Sequence, residues 1–304
     1  MKRTDHCIIC NKSGLVEVSG RLAPFISHYV FDGSVTSANF CLCHSCQMMF
    51  SSVRFDEHEM QRLYADYRGE RYCSTREKFE PGYSALNSQL GASDIEMRNR
   101  IAFCESLLEL YPGRIGSVLD YGGDRGQFIP LTLSHADRYV FDLSGAKPLD
   151  GIVSLSSPAE KAPYDLVICC HVLEHQPWPM NTLRELRSMV SSQGAVYIEV
   201  PAGIPTRRYF EATLASSFLC STKTPVMHEH INYFTKCSLR NSLLMSGFRP
   251  VISKLSIINL GRSLMPILAC LAVSAPAQPI PSYGRLSMLF EGCEYAIRRN
   301  LLAN

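Results

Sequence analysis

The sequence has no marked excess of charge. Its 304 residues carry 30 lysines and arginines against 28 acidic residues, a formal net charge of +2. General nucleic-acid binding needs a larger or more concentrated basic surface to meet phosphates, so no nucleic-acid partner is expected. There is also no apolar run long enough to span a bilayer. The longest, about Leu264 to Ala275, is too short and contains Pro266. The first residues, MKRTDHCIIC, include basic side chains but lack the apolar stretch of a secretory leader. A soluble, cytoplasmic protein is the expectation. In that reducing compartment the 13 cysteines are not read as disulfides; they divide into metal ligands and small buried hydrophobes. The hydrophobic content, 46%, suffices for one sizeable core and a smaller satellite module.

Five of the cysteines fall in the first 46 residues. Cys7-Ile-Ile-Cys10 and Cys43-His-Ser-Cys46 form two C-x-x-C pairs. Each pair presents two thiolates to one metal, and together they complete the tetrahedral shell of a structural Zn2+, with no position left open for chemistry. Unliganded or redox-active cysteines are the competing reading. Between the pairs, Leu15–Val18 and Ala38–Leu42 read as the strands of a zinc-ribbon-like module. Cys41 is expected in its small core and His44 in solvent. A helix over 57–67 follows, and Tyr64, Tyr67 and Tyr72 are either core aromatics or the mouth of a site.

From Asp94 the pattern becomes that of an α/β domain. Met97, Ile101, Cys104 and Leu108 recur at helical spacing. Ser117–Gly126 reads as a strand, a glycine-rich turn and then a helix start, the corner that brings backbone amides to a nucleotide. Tyr139–Asp142 is the next strand and ends in an acid suited to ribose hydroxyls. Tyr164–Cys170 and Ala195–Val200 follow as buried strands, with a helix over 181–190 between them. Such alternation implies a Rossmann-like, mostly parallel sheet covered by helices on both faces. Ser238–Met245 reads as a helix closed by Gly247, and Phe248–Ile258 as late strands. The expected division is residues 1–75 for the zinc module and connecting helix, 76–258 for the Rossmann-like domain, and 259–304 for a tail. That tail ends in an amphipathic helix from about Leu286 to Leu302. Docking on the body or on a second subunit is one use for the tail, and weak peripheral membrane contact is another.

This succession of motifs resembles class I S-adenosylmethionine-dependent methyltransferases, more narrowly the branch with an N-terminal zinc-binding domain, many of whose members modify sugars of antibiotics and surface polysaccharides. The matching residues are the two C-x-x-C pairs, Val118–Gly123, His171-Val-Leu-Glu-His175, Gly194–Pro201 and His228-Glu-His-Ile-Asn-Tyr-Phe234. The resemblance implies that Asp120, Gly122, Gly123 and Gly126 shape the methionine end of the S-adenosylmethionine pocket. It also implies that Asp142 binds the ribose and that the Cys170-His171 corner lies beside the cofactor. The acceptor it implies is a small sugar, nucleotide sugar or surface-glycan precursor, methylated on oxygen or carbon. His230 is the implied base, with Glu229 and Tyr233 orienting it or the sugar.

The triplet His228-Glu229-His230 also admits a structural hydrogen-bonding role. A metal site is a further reading, since alternate histidines can share an ion, but no third ligand is evident in the sequence. Glu174 and His175 are expected to stabilise the turn into the next helix. Asp124 stands where the usual loop has its middle glycine. Its carboxylate is expected close to that of the cofactor, which keeps open a catalytically weakened cofactor-binding or scaffold protein. A zinc-ribbon RNA methyltransferase is the remaining alternative.

Overall fold

The computed structural model describes residues 2–89, 94–203, 226–259 and 264–279. The N-terminal part comprises β1 (Lys2–Arg3), β2 (Val16–Leu22), α1 (Pro24–Phe31), β3 (Ser37–Leu42), β4 (Met49–Ser51) and β5 (Val53–Arg54). It is more than a ribbon, because α1 stands between β2 and β3. Pro24 opens that helix, where a missing N–H costs nothing, and Asp32 closes it in a left-handed conformation. Phe25, Ile26, Tyr29 and Val30 are buried in a core shared with Leu63, Tyr72, Met227 and Ile231.

Three helices follow: α2 (Glu57–Tyr64), α3 (Glu70–Phe79) and α4 (Tyr83–Gln89). Asp56 and Glu59 cap the start of α2 reciprocally, each side chain accepting from the other's backbone N–H. Next come α5 (Asp94–Leu108), β6 (Ser117–Tyr121), β7 (Asp137–Phe141), β8 (Val153–Ser154), β9 (Tyr164–Cys170), α6 (Pro179–Met189) and β10 (Val190–Pro201). The last elements are β11 (Val226–Met227), β12 (Asn232–Tyr233), α7 (Lys236–Met245), β13 (Phe248–Asn259) and β14 (Leu264–Ser274).

The large sheet has seven strands in the order β13-β14-β10-β9-β6-β7-β8. The pairs from β10 through β8 are parallel, and β14 runs antiparallel to both of its neighbours. This is the expected Rossmann-like α/β architecture. β9, with the sequence YDLVICC, is buried along nearly its whole length, as a central parallel strand covered on both faces must be.

Three sequence expectations change. No α-helix follows the glycine-rich turn among the described residues; the next helical element is a single 3-10 turn at Leu131–Leu133. Gly122, Asp124 and Gly126 have φ of 72°, 53° and 79°, values outside a right-handed helix, and Pro130 follows without an N–H to donate. Second, the apolar run placed in the tail is β14, inserted between β10 and β13. Leu268, Ala269, Cys270, Leu271 and Ala272 are all buried there, so an apolar run too short for a membrane fills the interior of a sheet. The amphipathic helix from Leu286 lies outside the described residues. Third, the second sheet, five-stranded in the order β11-β2-β3-β4-β12, takes both of its edge strands from residues 226–233. The cysteine-bearing sheet is thus completed by the segment that carries His228, Glu229 and His230.

Candidate active site

The four knuckle cysteines converge. Their sulfur atoms all lie within 4.8 Å of one another, with Cys7 Sγ 3.4 Å from Cys46 Sγ and Cys10 Sγ 3.5 Å from Cys43 Sγ. None is in a disulfide. Each C-x-x-C turn is closed by a left-handed residue directly after it, Asn11 and Gln47. Four tetrahedral thiolates about 2.3 Å from an ion would be separated by roughly this much, so the cluster fits a metal. Cys41 is buried in β3 outside it, as expected.

The glycine-rich corner follows β6. Gly122 abuts Val172: a side chain there would meet Val172 Cγ2 at 2.5 Å. A side chain at Gly123 would run into the Asp120 carboxylate. Asp120 is fully buried, and neither oxygen has a well-aligned hydrogen bond. Burial and the nearby Asp142 push its carboxyl up to about 7. Asp142 accepts from the backbone N–H of Asp124 at 2.9 Å and of Ser144 at 2.7 Å. The Asp124 carboxylate in turn accepts from the Ser144 hydroxyl at 3.1 Å. Asp124 therefore takes the left-handed conformation of the missing glycine while its side chain is tied to Ser144. A tight turn without side chains at Gly122 and Gly123, a buried carboxylate and the Asp142 acid together fit a nucleoside-bearing cofactor.

A second cluster grows from the same corner. His171, at φ 56°, leaves β9 with its N–H on Glu199 O at 2.8 Å. Its imidazole stands between two buried carboxylates, with Nδ1 3.2 Å from Glu174 and Nε2 3.2 Å from Glu199. Burial and Arg100 would lower its pKa, but the two carboxylates outweigh them and the net shift is upward. Glu199 also pairs with Arg100 Nη2 at 2.6 Å and accepts from Tyr197 at 2.9 Å.

Glu174 and His175 do not merely steady the helix start, as the sequence suggested. Their side chains face His230: the His175 and His230 rings lie 4.7 Å apart at 74°. Tyr72 is buried in the N-terminal core; Tyr64 and Tyr67 pack against the same core and also stand T-shaped to His175, with ring centroids 5.7 and 6.4 Å away. Glu174 would be raised by burial, but His171, His175 and His230 hold it at about 2. His230 is lowered to about 4, chiefly by burial and by His175, so its imidazole is neutral at pH 7.

The neighbours of His230 have other partners than expected. Glu229 turns away to Arg76, 2.8 Å off, and accepts from the Tyr72 hydroxyl at 3.3 Å. Burial opposes its ionisation, but Arg76 prevails and holds it at about 2. Tyr233 donates to the His230 carbonyl at 2.9 Å, fixing the loop rather than the imidazole. His228 is partly exposed beside Glu80, 3.4 Å away. Cys170 is buried at the end of β9.

Residues 58–253 match a family model described as a methyltransferase domain. The chain belongs to this family. With the Rossmann-like sheet and the glycine-rich corner, the protein is an S-adenosylmethionine-dependent methyltransferase. None of the curated proteins matches it. Among solved structures, the methyltransferase is similar to the 1,6-didemethyltoxoflavin-N1-methyltransferase of Burkholderia thailandensis, solved with 1,6-didemethyltoxoflavin and S-adenosylhomocysteine. The two are 18% identical over 75% of this chain and 96% of the other, with a TM-score of 0.45. The magnesium protoporphyrin IX methyltransferase of Synechocystis PCC 6803 is 18% identical over 62% of this chain and 87% of the other, with a TM-score of 0.38. The putative methyltransferase in a Haloferax volcanii complex with the Trm112 activator is 15% identical over 64% of this chain and 96% of the other, at 0.44.

Two residues that tie the candidate site together were not singled out in the sequence. Asn232 donates to the carbonyls of Leu173 and Gln176, both at 2.7 Å. Arg54, fully buried, donates to Asn232 Oδ1 at 2.7 Å. The Glu174 carbonyl accepts the N–H groups of Ile231 and Asn232. These bonds join the loop after β9 to the 228–232 segment. Arg54, in an unremarkable strand, gave no signal of this; Asn232 lies inside the His228–Phe234 run, but its bonds to the loop after β9 need the fold.

Proposed function

We propose that the protein transfers a methyl group to a sugar, nucleotide-linked or part of a surface-glycan precursor, in the cytoplasm, with His230 as the proton acceptor. Bound S-adenosylmethionine supplies the electrophilic methyl. Gly122, Gly123 and Gly126 would leave its methionine end room to approach the backbone, beside Asp120, and Asp142 would accept from its ribose hydroxyls. The supporting observation is a shared corner: Val172 lies against Gly122 while Glu174 and His175, two and three residues on, face His230. The loop read as the donor site and the group read as the base thus meet on one turn. His230 is neutral and half-buried, able to take a proton from a hydroxyl or from a carbon next to a carbonyl. Cys7, Cys10, Cys43 and Cys46 would hold one structural zinc, which organises the N-terminal sheet and takes no part in transfer.

His230→Ala tests the reading, with nucleotide sugars as acceptors. The transfer rate should fall by roughly 10²–10⁴-fold, the usual contribution of a positioned acid–base group, while S-adenosylhomocysteine binds as in the wild type. Turnover at the wild-type rate by a folded variant would end the case for His230.

A further inference from the structure

The group Glu174, His175 and His230 has features that proton transfer to His230 does not require. Each residue offers one ligand atom, and the three atoms lie within 4.8 Å of one another. The residues come from two segments, His175 and Glu229 being 54 positions apart in sequence, which is why the third ligand escapes a reading of the His-Glu-His triplet. His175 Nδ1 lies 3.2 Å from the Glu229 carbonyl. Only an Nδ1–H can donate there, so that bond fixes the tautomer and leaves a lone pair on Nε2, which points to the Glu174 side at 3.9 Å. A ligating histidine is usually held this way, by a carbonyl on its other nitrogen. Glu174 is 1% exposed, and neither of its oxygens has an aligned hydrogen bond. His171 Nδ1 stands 3.2 Å from Oε1 and helps keep the carboxylate ionised, while Oε2 has no hydrogen-bond partner. His171 meets one oxygen only, and a cation would meet the buried oxygen it leaves without a hydrogen bond. The Tyr64 hydroxyl is also buried without a hydrogen bond, its ring centroid 5.7 Å from that of His175.

We propose that Glu174, His175 and His230 bind one divalent transition-metal cation, distinct from the metal of the four cysteines. Two imidazoles and a carboxylate suit zinc, cobalt(II) or iron(II) rather than magnesium or calcium, which prefer oxygen-only shells. Bonds of about 2.0–2.2 Å in a tetrahedral shell put ligand atoms roughly 3.4 Å apart, so side-chain rotations of about an ångström close the site. Three protein ligands leave a position open, as in sites that take a substrate oxygen and unlike the closed cysteine cluster. The proposal rests on the reading of this pocket as the acceptor site, where an acceptor oxygen would take the open position. The lone pair of His230 would then be taken by the ion, which would polarise an acceptor hydroxyl so that its proton could leave to water, and His230 as the base describes the ion-free protein.

Cobalt(II) titration tests this in protein whose cysteine cluster already carries one zinc. One further equivalent should bind, with the visible d–d bands of nitrogen- and oxygen-ligated cobalt and without the thiolate charge-transfer band of a cysteine site. Glu174→Gln and His175→Ala should abolish that equivalent, the far-UV spectrum serving as the check on folding, and His230→Asn stands in for either if it does not fold. No second equivalent at millimolar cobalt, or one that survives the substitutions, would overturn the proposal. S-adenosylhomocysteine titration of the wild type separates the two readings: cobalt binding without it would leave the cation site standing and remove the transfer reading.

Discussion

At the residue scale, Asp120 couples the cofactor corner to pH. It is buried behind Gly123, and burial and Asp142 hold its carboxyl near 7 against an ordinary value of 3.8. Because the folded pKa is the higher one, the folded state keeps a proton that the unfolded chain has lost throughout the window from about 4 to 7. Stability therefore falls as pH rises across that window, by up to about 1.4 kcal/mol per pH unit from this group, and levels off above it. Asp120→Asn removes the slope. Urea unfolding of wild type and variant between pH 4 and 8 should give a stability difference that moves in the variant's favour up to about pH 7 and is flat thereafter. A pH-independent difference would show that Asp120 titrates as an ordinary carboxylate. The same argument does not extend to Glu174 or Glu229, which His171 and Arg76 respectively hold low.

At the scale of elements, the short strands β11 and β12 have consequences beyond their length. They frame residues 228–231 and close the two edges of the cysteine-bearing sheet, with the Met227 carbonyl accepting from Ala23 at 2.7 Å and that of Ile231 from Ser51 at 2.9 Å. If the cysteine cluster holds zinc, metal and loop are coupled through that sheet, because a site of this kind contributes folding energy to its surroundings. Metal analysis should give close to one zinc per chain held by the cysteines. Cys43→Ser should lower it and speed amide hydrogen exchange across 226–233 while β9 and β10 stay protected. Unchanged exchange at 226–233 in metal-depleted protein would show that the two are independent.

At the scale of the whole molecule, the parallel half of the large sheet is legible in the sequence, because a strand buried on both faces is a near-continuous apolar run. β9 shows this over nearly its full length; α7 is legible too, although it begins at Lys236, capped by Thr235, two residues before the expected start at Ser238. What escapes is set by contacts between distant segments. Two-residue strands such as β11 and β12 have no periodicity to detect. β14 looks like a tail because its place between β10 and β13 is decided by pairing, not by chain order. The helix expected after the glycine turn fails on local backbone at Asp124 and Gly126. In the candidate site the cysteine cluster and the glycine corner follow from spacing alone, but the meeting of Glu174 and His175 with His230, and the turning of Glu229 to Arg76, need the fold. No helix among the described residues is long and apolar enough to cross a membrane.

Calorimetric titration of S-adenosylhomocysteine into the protein tests the central claim, that the glycine corner and Asp142 form a working donor site on this chain. The account predicts one molecule bound per chain, and a loss of about 1–3 kcal/mol in Asp142→Ala through the missing charged hydrogen-bond acceptor. No binding heat at millimolar ligand from folded wild-type protein would contradict it.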